Sequence, residues 1–241
     1  MKTHLSYSAL SQFKKSPNHL LAYWNNEFKT TDAMQFGGLI HKLILEPNKF
    51  KDDFAVFDGA RRAGKAWVEF SETNKDKTII KQSELDNAKT IIDNSMLNKV
   101  FSEMLSNKIE TELRLDWTFK EVKFKGFIDL LTTYNDRQCI VDIKTTNDAG
   151  KRFERDLYYN DYKMQLAMYQ DQFNKETDVY IVAIETSVPF NVQVYKLDES
   201  LLFKGFMDYD FYTDKFKEWD GTRQGYNNEI IEIATQIEET W

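Results

Sequence analysis

A single cysteine, Cys139, in 241 residues excludes a disulfide framework and any site built from four thiolates, and it suits a reducing compartment. Proline is almost as scarce, with three, and glycine stops at nine, so no flexible or proline-rich linker divides the chain. No internal repeat or low-complexity tract interrupts it either, which makes one domain the default. Long apolar runs are missing: nothing approaches the roughly 20 residues that cross a bilayer, and the opening "MKTHLSYSAL" has no apolar core of a signal peptide. These absences lead to a cytoplasmic protein without membrane contact.

What is present is a core-forming composition, 41% hydrophobic and 15% aromatic. The formal net charge of −7, taken as a sum, disfavours a polyanionic partner, but its distribution reverses that. Residues 198–241 hold 11 acids and 4 bases, leaving 28 acids and 28 bases in residues 1–197. The acidity therefore belongs to the tail, and a neutral body is free to carry basic patches. The densest is "ARRAGKAW", with Arg61, Arg62 and Lys65 beside Trp67.

Local patterns predict a helix capped by Ser6 and stopped before Pro17, then an apolar helix opened by Gly37-Gly38 and ended before Pro47. Residues 50–80 read as polar and irregular. Leu85, Ala88, Ile92, Met96, Val100 and Met104 predict one amphipathic helix from Ser83 to Leu105. Strand texture follows in "ELRLDWTF", "KFKGFIDLLTTY" and "CIVDIKTT", then a helix over 156–174, two strands around Pro189 and a helical end. The order predicts an α/β sheet covered on both faces.

"CIVDIKTT" carries the chemical signal. Cys139, Ile140 and Val141 begin a buried strand, and Asp142 and Lys144 interrupt it; two apart, they project from one face. Asp129 lies near the end of the preceding strand. If the strands are neighbours, two carboxylates converge, and such crowding calls for a cation. Hard divalent ions favour oxygen ligands, and Mg²⁺ with carboxylates and phosphate is the arrangement of phosphoryl-transfer sites. Lys144 beside it would orient or activate an attacking water, or stabilise growing charge on the phosphate. The plainer reading is an ion pair at a strand end, since "EFK", "EVK" and "DYK" repeat the same spacing elsewhere. Tyr162, Gln165 and Tyr169 share one helix face, suited to DNA contact or simply to a helix boundary. His41, among Leu39, Ile40, Leu43 and Ile44, reads as a core histidine on its own.

"KGFIDLL", "IVDIKTT" and "YKMQLAMY", in this order, resemble the PD-(D/E)XK nuclease superfamily, and within it the exonuclease VIII (RecE-type) branch related to the RecB nuclease domain. The likeness extends to "LSYSALSQFKKSP", "MQFGGLIHKLILEP", "RRAGKAW" and "VAIETSVPFNVQVY", nearly the whole chain. The resemblance implies a restriction-endonuclease-like mixed central sheet flanked by helices, with an N-terminal helical extension. It divides one nuclease domain, 1–241, into a mainly helical part (1–110), an αβ core (111–197) and an acidic helical tail (198–241).

By the same resemblance, His41, Asp129, Asp142 and the Ile143 carbonyl hold Mg²⁺, with Mn²⁺ as a substitute. Lys144 is catalytic together with Asp142, Asp129 and Glu112; Glu112 matches the family's acid before the first strand better than Glu110. Gln165, Tyr169 and Tyr162 position the substrate strand, and Arg61, Arg62 and Lys65 grip its backbone. The four-cysteine iron-sulfur cluster of some relatives is not expected, because Ser16 stands at one of its positions and Cys139 is alone. Ile128 replaces the proline before the first aspartate, as is frequent in this branch. The implied activity is exonucleolytic, 5′-to-3′ resection of linear duplex DNA for phage-type recombination. A homo-oligomer is implied, and any single-strand annealing partner would be a separate protein. The alternatives are a catalytically inactive DNA-binding or assembly module of this fold, or a structure-specific endonuclease.

Overall fold

Local capping accounts for the first elements of the computed structural model, which describes residues 4–59, 61–173 and 176–223. Ser6 accepts a hydrogen bond from the Ala9 N–H and starts α1 (Tyr7–Lys15); Ser16 then caps α2 (Pro17–Trp24), with proline at its first position. The next helix, α3 (Asp32–Leu45), starts at Asp32 and not at the glycine pair, because the Thr31 hydroxyl accepts from the Met34 N–H. Gly37 has a packing role instead: a β-carbon there would lie 2.8 Å from Thr145 Oγ1. A 3₁₀ turn at Pro47–Lys49 follows.

Residues 50–80 are more ordered than their polarity suggests. They form α4 (Phe50–Asp53), β1 (Phe54–Phe57), α5 (Lys65–Thr73) and β2 (Thr78–Lys81), with β1 and β2 paired in parallel. The single helix expected over 83–105 is two, α6 (Gln82–Ser95) and α7 (Lys99–Ser106). Asn98 divides them by accepting from the Phe101 N–H and opening a new helix, which lets both pack on the sheet at their own angles.

The main sheet contains β3 (Lys108–Phe119), β4 (Val122–Tyr134) and β5 (Arg137–Thr146). Two-residue turns at Lys120-Glu121 and Asn135-Asp136 join them, all four residues in left-handed conformation as tight hairpins require. The helix expected over 156–174 is again divided, into α8 (Lys151–Tyr159) and α9 (Tyr162–Gln170), around a left-handed Asp161. Its carboxylate takes Lys14 at 2.8 Å and Lys163 at 2.9 Å, which holds the break in place. The chain continues through β6 (Asp178–Glu185), β7 (Val192–Lys196) and α10 (Glu199–Glu218). The last part of the acidic tail, 224–241, lies outside the described residues.

The strand order is β3-β4-β5-β6-β7, antiparallel except for the parallel β5–β6 pair. One face, through Phe124, Ile128, Ile140 and Ile181, packs on α1, α9 and α10; the other, through Leu130, Val141, Ile143 and Val182, packs on α3, α6 and α7. This is the restriction-endonuclease-like mixed sheet with helices on both sides. No helix among the described residues is long and apolar enough to cross a membrane.

Candidate active site

Two irregularities in the sheet create the site. Asp129 lies in the middle of β4, not near its end, because β4 runs on well beyond its pairing with β5: the two strands are bonded only through Leu130–Tyr134 and part at Asp129. Ile128 packs on the α9 side and Leu130 on the α3 side, although a regular strand would place residues two apart on one face. The strand inverts at Asp129. Across from it on β3, between the pairs Thr111–Leu130 and Leu113–Ile128, Glu112 has φ +52°, a left-handed value that costs a non-glycine residue about 1–2 kcal/mol. Strain of this kind gathers at functional sites, and here it turns two acids toward one another.

His41 arrives on α3, its Nδ1 3.6 Å from Asp129 Oδ2. Ligand atoms of His41, Glu112 and Asp129 lie within 4.8 Å of one another. The Ile143 N–H donates to Asp129 Oδ2 at 2.7 Å, and the His41 ring hydrogen-bonds the Ile143 backbone. His41, Asp129 and Ile143 are thus brought together, and the acid that joins them is Glu112. Asp142 is one step away: it is 3% exposed and pairs with Lys144, whose Nζ is 3.0 Å from Oδ1 and 2.8 Å from Oδ2. Oδ2 is buried without a well-directed hydrogen bond. Lys144 also donates to Gln165 Oε1 at 3.3 Å and sits 4.8 Å from the centre of the Tyr162 ring.

Electrostatics mark the same place. Burial raises the Glu112 carboxyl to about 7, helped by repulsion from Asp129 and Glu46 against the pull of Lys42 and Lys49. Burial likewise pushes Asp142 up to about 7, with Lys144 opposing and Asp129 adding repulsion. Desolvation disfavours the Lys144 ammonium, but Asp142 and Asp129 more than offset it, so its pKa is raised and the proton is held. Burial lowers His41, aided by Lys144 and opposed by Asp129, which keeps the imidazole neutral as a ligand requires. Crowded carboxylates and an imidazole whose neutral form is favoured fit a hard divalent cation.

The site opens into a cleft of about 810 Å³, lined among others by His41, Glu112, Lys144 and Tyr162. Lys42 and Arg152 also line it, and sequence reading overlooked both. Lys42 neighbours His41 on α3, and the one available signal for Arg152 was the basic start of α8. Tyr169, 5% exposed, hydrogen-bonds Gln165, which accepts from Lys144 in the cleft wall; neither Gln165 nor Tyr169 lines the cleft itself. The Tyr7 hydroxyl of α1 donates to the Asn160 carbonyl in the cleft wall. Arg61, Arg62 and Lys65 are exposed and do not line the cleft. Arg62 is held by Glu84 at 2.9 Å and the Ile79 carbonyl at 3.1 Å, and Lys65 lies 3.7 Å from Glu69.

A mixed sheet with acids on two adjoining strands and an acid-x-lysine on a third defines a protein of the PD-(D/E)XK nuclease superfamily. More specifically, a family profile matches residues 6–225, and the chain belongs to the family described as a PDDEXK-like domain of unknown function (DUF3799). Among solved structures it is similar to one from Eubacterium rectale described as "Putative exonuclease", with TM-score 0.64 and 12% identity over 90% of this chain and 81% of that one, a likeness of fold. The protein SSO0001 has TM-score 0.30 and 16% identity, over 71% of this chain and 74% of that one; VC1899 from Vibrio cholerae has 0.26 and 10%, over 90% and 58%. Likeness at that level carries no argument. No curated protein matches the chain significantly.

Proposed function

We propose that this protein is a Mg²⁺-dependent deoxyribonuclease, with Mn²⁺ as a substitute, acting as an exonuclease on linear duplex DNA. The observation that carries the reading is the gathering of His41, Glu112 and Asp129 within 4.8 Å, next to a buried Asp142–Lys144 pair, at the wall of one cleft. His41, Glu112 and Asp129 would hold the metal, with the Ile143 carbonyl and Asp142 completing the set. A divalent ion there supplies charge neutralisation for the scissile phosphate and a water of lowered pKa.

The chain's own residues divide the remaining work. Lys144, whose ammonium form Asp142 and Asp129 favour, would orient or activate water and stabilise charge growing on the phosphate oxygens. Gln165 and the Tyr162 ring fix its position, and Tyr169 fixes Gln165. Arg152 brings positive charge to the cleft for the phosphate backbone, whereas Lys42 in the same wall is paired with Glu46 and Asp53, each at 2.7 Å. End resection in phage-type recombination, in the manner of the exonuclease VIII branch, follows as the biological role. A homo-oligomer and a separate annealing protein belong to that role.

The test is Mg²⁺-dependent release of acid-soluble nucleotides from linear duplex, with closed circular duplex and Lys144→Ala in parallel. Release from linear DNA by the native protein alone supports the reading. Cleavage persisting in Lys144→Ala rejects the assigned chemistry. Digestion of closed circles makes the protein an endonuclease, and DNA binding without hydrolysis makes it a binding module. Separate 5′ and 3′ labels report the polarity.

A further inference from the structure

The β3–β4 hairpin has two unlike faces. On one, Leu115, Trp117, Phe119 and Phe124 pack on α10; the Trp117 Nε1–H donates to the Tyr209 hydroxyl at 2.9 Å, and Phe119 stacks on the Tyr209 ring at 4.3 Å. Among the described residues no helix covers the other: β5 has already left, Leu5 bridges to Phe124 along the edge it vacates, and α6 and α7 cover the sheet only farther on. Its cross-strand pairs are Arg114–Phe127, Asp116–Lys125 and Thr118–Lys123, and all six residues are exposed. Arg114 closes a two-bond fork on Asp116, at 2.7 and 3.1 Å, and neutralises it. Lys123 and Lys125 form no ion pair among the described residues. Three cations against one anion leave this face with a local charge of +2 in a chain whose formal total is −7.

Phe127 is the unexpected member, a phenyl ring 46% exposed without an aromatic partner among the described residues. It precedes Asp129 by two residues, one strand repeat, on the side of the sheet from which α3 brings His41. Lys125 and Lys123 follow at further repeats of about 6.8 Å. A flat ring followed by evenly spaced ammonium groups is what a single nucleic-acid strand recognises: the ring takes a base by stacking, and the lysines take successive phosphates.

We infer that this face is a track for one unpaired strand of the substrate, running from the His41–Glu112–Asp129 cluster along β4. It rests on the nuclease reading and adds where the strand lies. It also gives the basic contribution a different place from the Arg61–Lys65 loop, whose Arg62 is tied to Glu84. The lysines favour nucleic acid over an apolar protein partner, and a second copy of the chain becomes an outcome of the test.

The experiment is fluorescence anisotropy of a labelled single-stranded oligonucleotide with the full chain in EDTA, where turnover plays no part and failure of the hydrolytic reading leaves the measurement intact. Phe127→Leu is expected to weaken binding about tenfold, and Phe127→Trp to retain it. Removing each lysine, as Lys123→Gln or Lys125→Gln, is expected to reduce the slope of log affinity against log salt by about 0.7. Melting temperatures check that the exposed substitutions leave the fold intact. Native affinity in Phe127→Leu overturns the inference. So does a changed oligomeric state in sedimentation with DNA affinity unaltered, which would assign the face to a second copy.

Discussion

Lys144→Ala removes the partner of a carboxylate that is 3% exposed, and the consequence for stability depends on pH in a definite sense. Breaking a buried ion pair by deleting one member costs about 3–5 kcal/mol. The Lys144 side chain is itself 20% exposed, which places this case at the low end, about 3 kcal/mol. For a chain of this size that is a fall of about 6–12 °C in melting temperature. Asp142 stands at about 7 with its ammonium neighbour in place, and losing that neighbour moves it higher. A carboxyl raised in the folded state contributes stability below its unfolded value near 4, and that contribution is lost as pH rises through the folded value. The deficit of Lys144→Ala is therefore largest near pH 8. Toward pH 5 a proton replaces the lost cation, and it shrinks to roughly 1 kcal/mol, what the missing lysine stem accounts for. Thermal melts in EDTA at pH 5, 6, 7 and 8 measure this directly, with Asp142→Asn/Lys144→Met as the companion that removes both charges and recovers most of the loss. A deficit that does not vary with pH, or a double variant no more stable than the single, would refute the reasoning.

Glu112, raised to about 7, destabilises the metal-free protein as pH climbs through that value, whereas a bound cation reverses the penalty. The increase in melting temperature on adding Mn²⁺ should therefore be greater at pH 8 than at pH 5.5, and Glu112→Gln should flatten the difference. Gly126→Ala places a β-carbon 2.4 Å from the buried Tyr169 ring; it should cost about 1–3 kcal/mol in chemical denaturation and lower nuclease activity by displacing Gln165 from Lys144. Glu185, buried, accepts the Ala149 and Asn191 N–H groups at 3.0 Å each and ties the segment after β5 to the β6–β7 connection. Glu185→Gln leaves one of those amides facing an NH₂ group, so amide hydrogen exchange at Ala149 or Asn191 should accelerate about tenfold or more.

Residues that act within one element were legible in the sequence. Ser6 caps α1 because capping is a local bond, and Asp142 and Lys144 share a face because a strand repeats every two residues. Where two local signals competed, packing chose: Asn98 and Asp161 each divide what periodicity alone reads as one helix, since apolar spacing continues across a cap or a left-handed residue. Glu112 and His41 illustrate a different limit. Their residue types came forward by resemblance, yet neither spacing nor charge announces a left-handed turn on β3 or the angle at which α3 meets Asp129.

By itself the sequence determined the alternation of helix and strand from β3 onward, the acid-x-lysine pair on β5 and the families of chemistry compatible with them, because these follow from periodicity and residue type over a few positions. The tertiary structure alone decided that β4 and β5 part at Asp129, that Glu112 comes together with His41 and Asp129, and that Lys42 and Arg152 line the cleft while Arg61, Arg62 and Lys65 do not. Distances between elements are set by how whole faces pack, a sum of many weak contacts, and no short stretch of residues encodes that sum.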